Sequence, residues 1–111
     1  DASSLLIAPG AAIAAGDTEL PSIRSAIRAE QKLRITYSDD QGRSTKRIIW
    51  PFALAFFDRV RVVAAWCELR DGYRHFRTDR ITSLQATAKR YPRRRLALLK
   101  DWRALEGVPE Q

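Results

Sequence analysis

The residues best suited to chemistry lie in one stretch, Tyr73-Arg74-His75-Phe76-Arg77-Thr78-Asp79-Arg80-Ile81, which sets three arginines and the chain's single histidine among two aromatic rings. Read with period two, Tyr73, His75 and Arg77 face one way and Arg74, Phe76 and Thr78 the other, so a strand here presents guanidinium and imidazole together. Guanidinium forks bond phosphate or carboxylate in pairs, and aromatic faces stack on bases. A nucleotide or a single-stranded nucleic acid is the ligand class these residues fit. A solvated edge strand carries the same charges, because charged side chains also blunt the edges of sheets.

Catalysis has little to work with. His75 is the only ordinary neutral-pH base, no glycine-rich phosphate loop is present, and no Cys or His pair has metal-ligand spacing. No elbow motif surrounds a serine, and Cys67 sits in an apolar run rather than beside a histidine. The expectation is a binding protein, not an enzyme, with no metal or cofactor.

A chain of 111 residues makes one domain with a core of its own. Twenty Lys and Arg against thirteen Asp and Glu give a net charge of +7 and a pI near 10.3, which favours polyanionic partners. The excess is uneven: residues 1–20 carry Asp1, Asp17 and Glu19 and no base, whereas 89–103 carry seven bases against Asp101. One cysteine cannot form an internal disulfide, which fits a reducing cytoplasm. No run is long enough to span a membrane, and the Ala-rich start lacks the basic region of a secretory signal. Methionine is absent even at position 1, as expected of a processed product or a piece of a longer protein.

The elements that must position the basic segment can be read in order. Residues 1–17 lack periodicity and read as a linker or arm. From Asp17 or Thr18 to about Gln31, a capping residue, Pro21 and the Ile23, Ala26, Ile27 face predict a helix, with Arg24 and Arg28 on another face. Leu33, Ile35 and Tyr37 alternate into the turn Asp39-Asp40-Gln41-Gly42, and a second strand starts near Arg43, with Pro51 marking an edge, bend or end. Phe52–Phe57 and Val60–Leu69, joined by Asp58-Arg59, form the central hairpin. Asp71-Gly72 offers a positive φ before the basic segment, and Ile81–Ala88 is the last strand. About five short antiparallel strands after one helix favour a small β-barrel, mainly β, over a parallel sheet. Residues 91–111 read as a C-terminal helical extension in which Leu96, Leu99 and Trp102 recur at helical spacing before Gly107 and Pro109. Arg93-Arg94-Arg95 at its start could track phosphates, though such runs are commonly solvated.

Tyr37, then Gly42, Arg47 and Pro51, then Ala65-Trp66-Cys67 and Phe76-Arg77-Thr78-Asp79-Arg80-Ile81 resemble, in order and spacing, the WYL domain of bacterial transcriptional regulators over about residues 20–90. The chain departs where the eponymous Trp-Tyr-Leu triplet would fall, at Arg61-Val62-Val63. The resemblance implies an Sm-like or SH3-like barrel, domain 18–90, acting as the sensing module downstream of a winged helix-turn-helix. That DNA-binding half is not in this sequence. Similar proteins are dimers or larger assemblies, and some WYL domains bind single-stranded DNA or nucleotide-like effectors. On this reading Tyr37 offers a ring or hydroxyl, Arg47, Arg77 and Arg80 grip phosphate, and His75 adds a pH-sensitive hydrogen bond.

Each of these residues has a plainer use, Tyr37 as a core ring and Arg80 as a partner of Asp79. Two other functions fit the same sequence. One is a protein–protein dimerisation module using a barrel edge and the Leu96, Leu99, Trp102 face; the other is a stand-alone Sm-like RNA-binding protein.

Overall fold

The computed structural model describes residues 19–57 and 59–107; the expected arm over 1–17, the turn residue Asp58 and Pro109 lie outside the described residues. Helix α1, Leu20–Ala29, carries Pro21 in its first turn and buries Leu20, Ile23 and Ala26. It stops at Glu30, whose backbone turns left-handed (φ 57°, ψ 47°) and returns its N–H to the carbonyls of Ala26 and Ile27. Strand β1, Gln31–Ser38, follows at once, and the turn after it is built on Asp39, whose Oδ1 accepts the N–H groups of Gln41 and Arg43. Gly42, at φ 79°, supplies the positive φ that the turn requires.

Strand β2, Ser44–Phe57, is longer than the sequence suggests because it does not stop at Pro51. It pairs with β1 through Ile49 and with β3, Val60–Cys67, from Ile49 onward, so Pro51 falls beyond the β1–β2 ladder, which ends at the Leu33–Ile49 pair, and costs no hydrogen bond on that side. The β2–β3 register shifts between Pro51 and Ala53, and this irregularity bends the strand. Strand β4, Gly72–Arg77, pairs with β3 after a turn in which Asp71 (φ 54°), and not Gly72, takes the left-handed conformation. A single 3-10 turn, Thr78–Arg80, leads into β5, Ile81–Arg90, which pairs with β1.

The result is one five-stranded antiparallel sheet in the order β4-β3-β2-β1-β5. Its two edge strands are joined by only three residues, so the sheet must curl until the end of β4 meets the start of β5. Phe76 and Ile81 accordingly share one core with Leu33, Ile35, Ile49 and Val63, capped by Ile23 and Ala26 of α1. Cys67 is buried in this core as a free thiol.

Helix α2, Arg95–Glu106, covers the opposite face, with Leu98 and Trp102 packed on Phe52 and Ala64. The buried stripe differs from the expected Leu96, Leu99, Trp102 face: Leu98 is fully buried and Leu96 is 64% exposed. Apolar residues at 96, 98, 99, 102 and 105 offer two overlapping stripes, and the one with i, i+4 anchors at 98 and 102 is the one that fits over the Phe52 ring. Tyr91 locks the entry to this helix; its buried hydroxyl, its pKa pushed up to about 12 by burial, donates to the Pro51 carbonyl at 2.8 Å.

Glu30 ties the two helices together. Its carboxylate accepts from Arg90, Arg94 and the backbone N–H of Arg95, while its carbonyl accepts from the Tyr91 N–H. Burial works to raise its pKa, but the Arg95 N–H and the two guanidiniums outweigh it and hold the carboxyl below its ordinary range. Asp39 and Glu68 are lowered as well, Asp39 chiefly by the Arg43 N–H and Glu68 chiefly by Lys32. A carboxyl whose folded pKa is depressed contributes stability that is complete above its unfolded value, near 4, and is lost as pH falls through the folded value. The melting temperature is therefore expected to hold from neutral pH to about pH 5 and to fall below about pH 4. Glu30→Gln should make that acid limb shallower, and an unchanged limb would show that the knot at Glu30 contributes nothing to it.

Candidate functional site

The corner where β4 turns into β5 gathers most of the residues singled out in the sequence. Tyr37, on β1, lays its ring edge-on against Phe76 with centroids 5.0 Å apart, and its hydroxyl accepts the backbone N–H of Arg77 at 3.0 Å. That bond links the β4 edge across the curl to β1. Arg47 reaches the same place from β2: its guanidinium lies 5.5 Å from the Phe76 ring and 6.0 Å from that of Tyr37, and NH1 approaches the Cys67 sulfur at 3.6 Å. Its Nε donates to Thr45 Oγ1. Arg47 has no carboxylate partner among the described residues; half-buried over two rings, its charge is held by cation–π contact.

Arg77 turns outward and closes a bidentate pair with Asp79, Nε to Oδ1 at 3.0 Å and NH2 to Oδ2 at 2.7 Å. This pair holds the Asp79 carboxyl below its usual range, and the nearby charge of Arg80 adds to the effect. Arg80 bonds no described side chain, so the carboxylate that could have been its partner belongs to Arg77. Thr78, buried, donates its hydroxyl to the Arg61 carbonyl at 3.3 Å and so pins the turn to the start of β3.

Beside this corner lies a cavity of about 310 Å³ lined by Phe56, Arg59, Val60, Arg61, Arg77, Thr78 and Asp79. Three guanidiniums thus surround one carboxylate among the described lining residues. Arg59 and Arg61 were not among the residues that the sequence marked as a site. The available signal was the Arg59-x-Arg61 pair of guanidiniums flanking the start of β3, Arg59 in the left-handed turn before it and Arg61 in the strand. Arg61 also stands at the first position of the missing Trp-Tyr-Leu triplet and lies 5.8 Å over the Phe56 ring. Val62 and Val63, which complete that position, are buried in the sheet.

His75 is not part of the corner. It lies on β4 beside α2, exposed, where its Nε2 accepts the indole N–H of Trp102 at 2.8 Å and its ring meets that of Trp102 edge-on at 5.5 Å. Accepting at Nε2 places the imidazole proton on Nδ1. The structure therefore brings Tyr37, Arg47, Arg77 and Arg80 to one end of the sheet and engages His75 in helix docking. Among the described residues no group of three or more His, Cys, Asp and Glu could hold a metal ion, and no helix is long and apolar enough to cross a membrane.

The model of the WYL domain matches residues 18–86, and the chain belongs to this family. Among solved structures it is similar to proteasome accessory factor B/C (PafBC) of Arthrobacter aurescens, at 29% identity and a TM-score of 0.66 over 78% of this chain. The match covers 13% of the PafBC chain, so the present chain spans only a small part of that protein's length. No match was found among curated proteins.

Proposed function

We propose that this chain is the effector-sensing domain of a transcription regulator, and that the β4–β5 corner binds a phosphate group of a nucleic-acid or nucleotide-like effector. The observation that carries this reading is the corner cavity, in which Arg59, Arg61 and Arg77 face a single carboxylate, Asp79. A phosphate entering it would compete with Asp79 for the Arg77 fork, and Arg80 would add charge from the neighbouring turn. Arg47 and Tyr37 would fix the Phe76 platform behind that fork. His75 would act at a distance, by holding α2 in place. The role is binding without turnover. Occupancy would alter how an attached helix-turn-helix, not in this chain, grips double-stranded DNA, with the regulator working as a homodimer in the cytoplasm.

The test is a titration of the purified chain with short single-stranded DNA, single-stranded RNA and mononucleotides at about 50 and 200 mM salt. Binding should weaken with salt, by a slope of about 0.7 for each phosphate contacted on a single strand. No binding of any of the three, together with self-association indifferent to salt, would favour a dimerisation module instead.

A further inference from the structure

The sheet ends in two edge strands that are guarded very differently. β4 carries Arg74, His75 and Arg77 and is tied to α2 by the bonds from Trp102 to His75 and from Tyr73 to Asp101. β5 pairs with β1 alone, and its other edge meets no strand among the described residues. Edge strands are ordinarily blunted by charged side chains or proline, because an open edge is a template for pairing with another chain. Residues 81–88 of β5 hold neither a charge nor a proline. The open stretch closes at Ala88, whose φ of 61° departs from the strand conformation.

Beside this edge lies a cavity of about 450 Å³ that shares no lining residue with the corner cavity. It opens on the face of β1 turned away from α1, since period two sets Lys32 and Arg34 opposite the buried Leu33 and Ile35. Lys32, Arg34 and Lys89 bring three cations to it and Glu68 one anion. That anion is already taken. Glu68 accepts from the Lys32 ammonium and from the Trp50 indole N–H, each at 2.8 Å, and Lys32 also lies 5.4 Å over the Trp50 ring. Arg34 leans across to β5, where its NH1 approaches Gln85 Oε1 at 3.5 Å, its only side-chain partner among the described residues. The Lys89 side chain bonds no described residue. Two cations without a carboxylate therefore stand along a strand edge without a partner.

We propose that the β5 edge takes up an extended acidic peptide segment of another protein as a sixth strand, with its carboxylates on Arg34 and Lys89. Such a strand would lie about 5 Å from β5 and turn every second side chain to the face that holds the cavity. Main-chain bonds would supply affinity, and the two cations would select the sequence. A nucleic acid has no alternating N–H and C=O groups with which to continue the ladder. A second copy of this chain would bring two like-charged faces together at the join, which is unfavourable between paired strands. An acidic peptide meets neither objection. The surface would work whether or not the β4–β5 corner holds a phosphate.

The test titrates the purified chain with a fluorescein-labelled peptide of about eight residues in which Glu and Thr alternate, long enough to cover residues 82–88. Two controls accompany it. One alternates Lys and Thr, and the other is the acidic peptide fully N-methylated, which keeps the charge and loses every N–H. The acidic peptide should bind saturably and at least about tenfold more tightly than either control. Bound peptide should slow amide hydrogen exchange at alternate residues of 82–88 and leave β4 unchanged. Arg34→Glu with Lys89→Glu should lower the affinity at least about tenfold without moving the melting temperature, since both side chains are exposed. Equal binding of the N-methylated peptide would mean that charge alone holds it and would overturn the sixth strand. A double variant that binds like its parent, or an acidic peptide that does not bind, would do the same. Slow exchange at the same amides without peptide, growing with protein concentration, would give the edge to a second copy and overturn the acidic partner.

Discussion

Trp102→Ala is expected to lower the melting temperature by more than 10 °C. Trp102 is 7% exposed, its indole meets the Phe52 ring edge-on at 6.0 Å, and it is one of two buried anchors of α2. Removing a large aromatic from such a site costs about 3 to 5 kcal/mol, and for a domain of this size each kcal/mol shifts melting by about 4 to 8 °C. Part of the loss is the indole N–H bond to His75 Nε2, which Trp102→Phe isolates: it keeps a ring on Phe52 and should cost about 1 kcal/mol. Thermal melting of both variants checks the result. An alanine variant that melts like its parent would mean that α2 does not hold the sheet face at all.

The second large effect separates two neighbouring residues of opposite sign. Arg77→Ala should weaken binding of a single strand by about ten- to a hundredfold, the range for losing charged hydrogen bonds to a phosphate. It should also lower the salt slope by about 0.7. Asp79→Asn should do the reverse and tighten binding, because it releases a fork that Asp79 now occupies with both oxygens. Neither change should move the melting temperature far, since both side chains are about a third exposed and exposed ion pairs add little stability. Were Asp79 instead a structural partner that the site needs, Asp79→Asn would lose affinity along with Arg77→Ala. Equal affinities in the parent and both variants would take the corner out of the binding site.

Most of the fold was legible because its signals are local. Alternation in Leu33, Ile35 and Tyr37, the turns at Gly42 and Asp71, and Pro21 near the helix start each act within a few residues. Pro51 misled about the length of β2 because its tolerance depends on where the neighbouring strand ends, which only pairing decides. Leu98 was passed over for Leu96 because helical spacing alone admits both stripes, and the Phe52 ring that chooses between them is far away in sequence. The site was legible in part for the same reason. Tyr37, Arg47, Arg77 and Arg80 gather at one end of the sheet. The pairing of Asp79 with Arg77, the diversion of His75 to Trp102 and the lean of Arg34 toward Gln85 arise from tertiary contact. No spacing rule reaches them.

The position of β1 between β2 and β5 also sets a timetable for folding. Its partner on one side, β2, is a short hairpin away, but its partner on the other, β5, comes from the far end of the sheet; Arg34 and Gln85 are registered neighbours 51 positions apart in sequence. Closing so long a loop before any contact rewards it is slow, and sheets dominated by such pairings fold in about milliseconds to seconds rather than microseconds. Through that interval the α1–β1–β2–β3–β4 portion can assemble while β1 presents a bare row of N–H and C=O groups to solvent. A second chain waiting at the same stage offers the same row. High protein concentration during refolding should therefore divert material into strand-exchanged dimers or aggregates, and dilution should rescue it.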